Sequence, residues 1–170
     1  SYQGNTFEVE AIFPRRTTES ATNNFYVPSQ SGSLFGVHTE AGLTTPAAAT
    51  ATIVTSVGIA TNNHVVITST DSTQKTYTAR TTNDLANNFF KATGTAVETA
   101  TNLEACIKHA NGHYGKITIT KPDTETLVLT QVIVGAAGNT TITHGASGGG
   151  SGWSGATVPS SFTGGLDGVE

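Results

Sequence analysis

The stretch from Gly94 to His144 constrains this chain more than any other, because it carries start and stop signals as well as a period. Thr95-Ala-Val-Glu98 has the form of a capping box: a hydroxyl meets an orphan backbone N–H, and a glutamate three residues on reaches back. Val97, Ala100, Leu103, Cys106, Ile107 and Ala110 then recur at helical spacing, leaving Glu98, Thr101, Asn102, Glu104 and Lys108 for solvent. Asn111-Gly112 reads as the stop, with glycine expected in the left-handed cap conformation. The pattern predicts one principal helix at about 96–110. Beyond it, Ile117 and Ile119 alternate with Thr118 and Thr120, a turn follows at Pro122-Asp123, and Leu127 to Ile133 continues as a strand. Glycines and small residues at 134–139 give a bend before a short last strand, Thr140 to Thr143.

Upstream, Thr52 to Val57 alternates weakly. His64 to Thr70 reads as a strand with Val65, Ile67 and Ser69 on one face, and Asp71 to Gln74 is a turn from which Lys75 to Thr81 returns as a hairpin partner. Asn83 to Thr93 stays open between a short helical face built on Leu85, Phe89 and Phe90 and an irregular segment. The order predicts an α+β fold, a mainly antiparallel β-sheet with one helix packed on a face. Three regions follow: 1–50 as an extended arm and connector, 51–144 as the α+β module, and 145–170 as a Gly/Ser-rich loop and C-terminal tail. Five aromatics in the arm, Phe7, Phe13, Phe25, Tyr26 and Phe35, are spaced too widely to make a core of their own. Such side chains either lie in grooves on another surface or wrap their own domain.

Composition narrows the function classes. With 12% charged residues, 36% apolar residues and 19 glycines in a threonine-rich chain, strands and turns are favoured over helices. A net charge of −4 with scattered basic residues argues against a nucleic-acid-binding surface. One cysteine excludes an internal disulfide framework. No apolar run approaches the length of a membrane span, and no signal peptide is recognisable at the N-terminus. A start at Ser1 fits either removal of an initiator Met or a fragment of a longer chain.

Individual residues that could carry chemistry have plainer readings. His109 and His113 stand at the four-residue spacing of a zinc pair, but Gly112 intervenes and no third ligand follows, so they read as polar histidines at a helix end. Cys106 lies on the apolar helix face and reads as a small buried hydrophobe rather than a nucleophile. The Gly148–Gly152 run lacks the Gly-Lys-Ser/Thr ending of a phosphate loop. The carboxylates form no acidic loop of the calcium-binding kind. Asn139-Thr140-Thr141 matches a glycosylation acceptor, a pattern that carries meaning only on secretion. Trp153 is either a sugar-stacking platform or, the preferred reading, an anchor that pins the linker. No catalytic residue, metal ligand, cofactor or small-molecule substrate is expected.

Several segments together carry a resemblance: Lys75-Thr-Tyr77, Ala92-Thr-Gly-Thr95, Leu103-Glu-Ala-Cys-Ile-Lys-His-Ala-Asn-Gly-His113, Lys116-Ile-Thr-Ile-Thr120, Leu127-Val-Leu-Thr-Gln131, Ala137-Gly-Asn-Thr-Thr-Ile-Thr143 and Phe162-Thr-Gly-Gly165. Between His64 and Gly168 the chain resembles a module common in virion structural proteins of marine and environmental tailed bacteriophages. The opening, from Asn5-Thr-Phe-Glu-Val-Glu10 to Ser33-Leu-Phe-Gly-Val-His38, is similar to the starts of such proteins, less specifically. The departure is Asn83 to Lys91, where related modules carry an acidic, glycine-containing stretch. The resemblance implies a non-enzymatic virion component, a capsid decoration protein first and a tail sheath or tube component next. Its partners would be copies of itself and other virion proteins, met through Phe7, Phe13, Phe25, Tyr26, Phe35, Trp153 and Phe162. A carbohydrate-binding module or an extracellular filament subunit is the alternative from another class.

Overall fold

The computed structural model describes residues 44–146 and 152–168, which lie in one compact unit beginning at Thr44. The arm aromatics Phe7, Phe13, Phe25, Tyr26 and Phe35 lie outside the described residues, as does most of the Gly148–Gly152 run. The fold is α+β. Strands β1 (Thr50–Val54), β2 (Gly58–Ile59), β3 (Asn63–Thr68), β4 (Gln74–Arg80) and β5 (Phe89–Lys91) precede helix α1 (Ala96–Lys108). Strands β6 (Ile117–Thr120), β7 (Thr126–Gln131), β8 (Ile142–Ala146) and β9 (Trp153–Ser154) follow it.

The strands divide into three sheets rather than one. A four-stranded sheet runs β5-β4-β3-β8, a three-stranded sheet β1-β7-β6, and a short ribbon joins β2 to β9. All pairings are antiparallel except β4 with β5. The two-residue period does its expected work: β3 buries Asn63, Val65 and Ile67 and turns His64, Val66 and Thr68 outward, and β7 buries Leu127, Leu129 and Gln131. These faces and α1 share one core, in which Ile53, Val65, Ile67, Tyr77, Phe90, Leu103, Ile107, Leu127 and Leu129 are fully buried. The helix touches β4 and β5 of one sheet and β6 and β7 of the other.

Helix α1 begins as its sequence dictates. Glu98 N–H donates to Thr95 Oγ1 at 3.2 Å and Thr95 N–H to Glu98 Oε2 at 2.8 Å. Its end differs from expectation. His109 is an extended C-cap, Ala110 is exposed, and Gly112 does not take a positive φ. Glycine is required at 112 for a different reason. The chain folds back over the helix end, His113 N–H donates to Ile107 O at 2.7 Å, and a Cβ on Gly112 would sit 2.3 Å from Cys106 O. The left-handed residue is Gly115, with φ +72°. Val97, expected inward, is 38% exposed, because the buried stripe runs through Ala96, Thr99, Ala100, Leu103, Cys106 and Ile107.

The segment left open by the sequence, Asn83 to Thr93, holds a single 3-10 turn, Leu85–Asn87, capped by Asp84, and then β5. Phe90 is buried there, and Arg80 lies over the Phe89 ring at 4.7 Å.

The C-terminal segment pairs with β1 and the residues before it. Leu166 bridges Ala47, Thr163 bridges Thr50 and Thr157 bridges Val54, so residues 157–166 run antiparallel along the edge of β1 that β7 leaves open. Asn139 and Gly165 exchange hydrogen bonds, side chain to backbone, at 2.9 and 2.8 Å. At Gly165 an added Cβ would fall 2.4 Å from Gly135 O, so no other residue fits this crossing.

Candidate functional site

A cluster of polar side chains lies where the β3–β4 turn meets the segment after α1. Ser72 takes φ +65° in this turn, and Ser69 N–H donates to Thr73 O at 2.9 Å. Asp71 Oδ1 accepts from Ser69 Oγ at 2.6 Å and from Thr73 N–H at 3.1 Å. Its other oxygen accepts from Lys116 Nζ at 2.6 Å. Lys116 first, then the Ser69 hydroxyl, hold the Asp71 carboxyl well below the usual range.

His113 is fully buried beside this turn. Its Nε2 lies 3.1 Å from Thr73 O, and its Nδ1 lies 2.6 Å from Tyr77 Oη. A carbonyl oxygen only accepts, so Nε2 carries the proton and Nδ1 accepts from the tyrosine hydroxyl. Burial lowers the His113 pKa, and burial first, then Cys106, raises that of Tyr77. The pair is therefore neutral at pH 7, a hydrogen-bonded strut between β4 and the helix end. Burial, and to a lesser degree Asp84, pushes the Cys106 thiol up to about 12, and its Sγ–H donates to Phe89 O at 3.2 Å. A thiol so placed is a poor nucleophile.

Protonation of His113 gives the strut a pH dependence whose sign follows from the lowered pKa. The unfolded chain takes up the proton near pH 6.5, whereas the folded protein does so only at lower pH. The stabilisation is complete above about 6.5 and declines as pH falls toward the folded value. Urea unfolding at pH 7.5 and pH 5.5 is expected to show this decline, and His113→Gln should remove that component of it. An equal slope in both proteins would contradict the assignment.

Gln131 is the second buried polar centre, 1% exposed at the end of β7. Its Oε1 accepts from Thr70 N–H and Oγ1 at 3.0 and 3.2 Å, and its Nε2 donates to Thr68 O and Thr140 Oγ1, each at 3.1 Å. It ties the three-stranded sheet to the four-stranded one. Thr55 Oγ1 bridges Ala96 O and Glu125 O at 2.8 and 3.1 Å in a similar way. The buried polar residues Thr55, Asn63, Ser69, Thr99, His113 and Gln131 each have a hydrogen-bond partner, so their polarity is used inside the fold.

Sequence-expected site residues fall in two groups. Trp153 is 5% exposed and Phe162 is 1% exposed, both in the domain's own core. The Trp153 ring lies 6.0 Å from Phe90 and its Nε1–H donates to His64 O at 3.0 Å. It is an anchor for the ribbon, and no face is open for stacking on a sugar. His109 and His113 do not converge, since one is half-buried and the other is held by Tyr77. Among the described residues no group of three or more His, Cys, Asp or Glu comes together. No described helix is long and apolar enough to cross a membrane.

Several large apolar side chains face outward. Tyr114 is 73% exposed, and Val132, Ile133, Val134 and Leu166 are each about half exposed. They occupy one end of the domain. Val132 N–H donates to Lys116 O, Ile133 flanks Gly115 and Lys116, and both Gly135 N–H and Leu166 N–H donate to Ala47 O. In the sequence this feature shows only as the apolar run from Val132 to Val134, at the end of a strand and the start of a bend. No family model, no curated protein and no solved structure matches the chain.

Proposed function

We propose that this chain is a structural protein of a tailed-bacteriophage virion, acting as a capsid decoration protein that assembles with copies of itself and with other virion proteins. The observation that carries the reading is the exposed apolar end formed by Tyr114, Val132, Ile133, Val134 and Leu166. An exposed cluster of this kind marks a surface that is covered in use. The resemblance of the segments between His64 and Gly168 to virion modules supports the same reading. So does the use of Tyr77, His113, Cys106 and Gln131 as internal struts, which leaves the outer surface to make contacts. Burying about 400 Å² of apolar surface in a subunit contact contributes roughly 10 kcal/mol before the cost of association, so repeated weak contacts suffice for a shell. A tail sheath or tube component is the second reading, because the same module recurs in several virion proteins.

Deletion of residues 1–40 tests the assembly role. The shortened protein is expected to fold, and its incorporation into purified particles, measured by quantitative peptide mass spectrometry, is expected to fall about tenfold or more, as for loss of a multivalent tether. Unchanged incorporation would remove the arm from the proposal. Immunogold labelling of intact particles separates the two locations: gold on the capsid supports decoration, and gold confined to the tail supports the second reading.

A further inference from the structure

Strand β6 is the outer strand of its sheet, with β7 on one side and no described strand on the other. Val132 N–H donates to Lys116 O at 3.0 Å, and the register continues as Thr118 opposite Thr130 and Thr120 opposite Val128. Hydrogen-bonded pairs alternate in an antiparallel ladder, so the peptide groups of Thr118 and Thr120 point at β7 and those of Ile117 and Ile119 point outward. On the far side of β7 the pattern agrees, since Gln131 N–H donates to Ala49 O. Ile117 N–H is taken by His113 O at 3.2 Å. Ile117 C=O and both groups of Ile119 have no described partner. Edge strands are commonly blunted by a proline, a bulge or an inward charge, and β6 has none of these. Beside it lies an open groove of about 350 Å³, lined by Lys108, Tyr114, Gly115, Ile117, Thr118 and Ile119.

We propose that β6 and this groove receive the N-terminal arm of a second copy of the chain, with residues 7–11 adding to the sheet as a further strand. This rests on the assembly reading above and names its receptor surface. The arm sequence Phe7-Glu8-Val9-Glu10-Ala11 alternates apolar and acidic residues with a period of two. A strand laid on β6 shares its faces: the apolar set falls on the side of Ile117 and Ile119, beside the groove that Tyr114 also lines. The acidic set falls beside Thr118 and Thr120, which are exposed. Main-chain bonds to Ile119 supply affinity, and the groove supplies selection for Phe7 or Val9. A second β6 would fit less well, because Ile117 and Ile119 are already buried and would leave the groove unfilled. Length permits exchange between copies. Residues between Ala11 and Thr44 can span roughly 110 Å when extended, against a radius of gyration of about 14 Å for a domain of this size.

Mixed cross-linking of the purified full chain tests the contact. One preparation carries Glu8→Cys or Glu10→Cys, and the other, labelled with 15N, carries Thr118→Cys. Opposed residues on neighbouring strands lie within disulfide reach. The native Cys106 is buried and stays silent. Under mild oxidation the mixed, mass-distinguishable dimer is expected at about tenfold or more over the same mixture made with Thr52→Cys, an exposed position on β1, as for a specific site against random encounter. Thr118→Cys homodimers without the mixed species would mean β6–β6 pairing and overturn the proposal. So would a bond formed only within one chain in the Glu8→Cys/Thr118→Cys double variant, or no bond at all. The readout needs no particle, so a cross-link in a protein missing from virions would overturn the virion reading alone.

Discussion

A chain ending at His144 is expected not to fold, although it keeps β1 to β7, α1 and the first three residues of β8. The truncation removes Trp153 and Phe162, which are 5% and 1% exposed in the core. Emptying such an aromatic site costs about 3–5 kcal/mol, and two of them together approach the whole stability of an ordinary domain, about 5–15 kcal/mol. The backbone loses as much. Thr50 and Thr163 exchange bonds of 2.8 and 2.9 Å, Val54 and Thr157 bonds of 3.0 and 2.9 Å, and Ala47 and Leu166 bonds of 3.0 and 3.1 Å. Without them β1 becomes an unprotected edge over exposed core. Circular dichroism and urea titration of the truncated chain should show no cooperative transition. Phe162→Ala grades the effect, since it should retain the fold with a loss of about 4 kcal/mol, some 15 °C in Tm. If residues 145–170 were only a linker, both changes would alter the unfolding free energy by less than about 1 kcal/mol.

What was legible in the sequence was local. The capping box at Thr95 and Glu98 and the alternation that sets the β3–β4 hairpin each involve neighbours along the chain, and the structure forms them where the residues indicate. Pairings between distant segments were not legible. β1 with β7 and β3 with β8 join strands separated by most of the domain, and a period of two does not say which strand lies next to which. Residues 157–166 carry almost no alternation, because they bridge at single positions such as Thr157 and Thr163 rather than along a ladder. Gly112 is subtler: a glycine after a helix suggests a dihedral requirement, and here it meets a requirement for space. The Tyr77–His113 strut joins residues 36 positions apart, and nothing near either of them in the chain announces the other. Gln131 could have been found, since the period that buries Leu127 and Leu129 also turns Gln131 inward, and a polar residue at a core position demands partners.

Those partners make Gln131 the site of the second large effect, and substitution there separates hydrogen bonding from volume. Gln131→Met keeps the bulk and removes all four bonds. Thr70 N–H then has no acceptor, while Thr68 O keeps the Thr140 hydroxyl. A loss of about 3 kcal/mol is expected from the orphaned groups, largely independent of pH. Gln131→Glu changes a single atom type and should be worse at neutral pH. One carboxylate oxygen still accepts from Thr70, but the other replaces the donor that faced Thr68 O and Thr140 Oγ1. A buried negative charge then lies against a carbonyl oxygen, at an expected cost of about 3–5 kcal/mol. Burial and that carbonyl raise the carboxyl pKa in the folded state, so the cost is complete above the raised value and shrinks as pH falls and the protonated acid donates in place of the amide. Measured against wild type by urea titration at pH 7.5 and pH 5, Gln131→Glu should recover most of its deficit while Gln131→Met recovers none. Parallel deficits at both pH values would mean that Gln131 acts by filling space, and that Thr55 Oγ1, bonded to Ala96 O and Glu125 O, is the principal polar tie between the flanking segments.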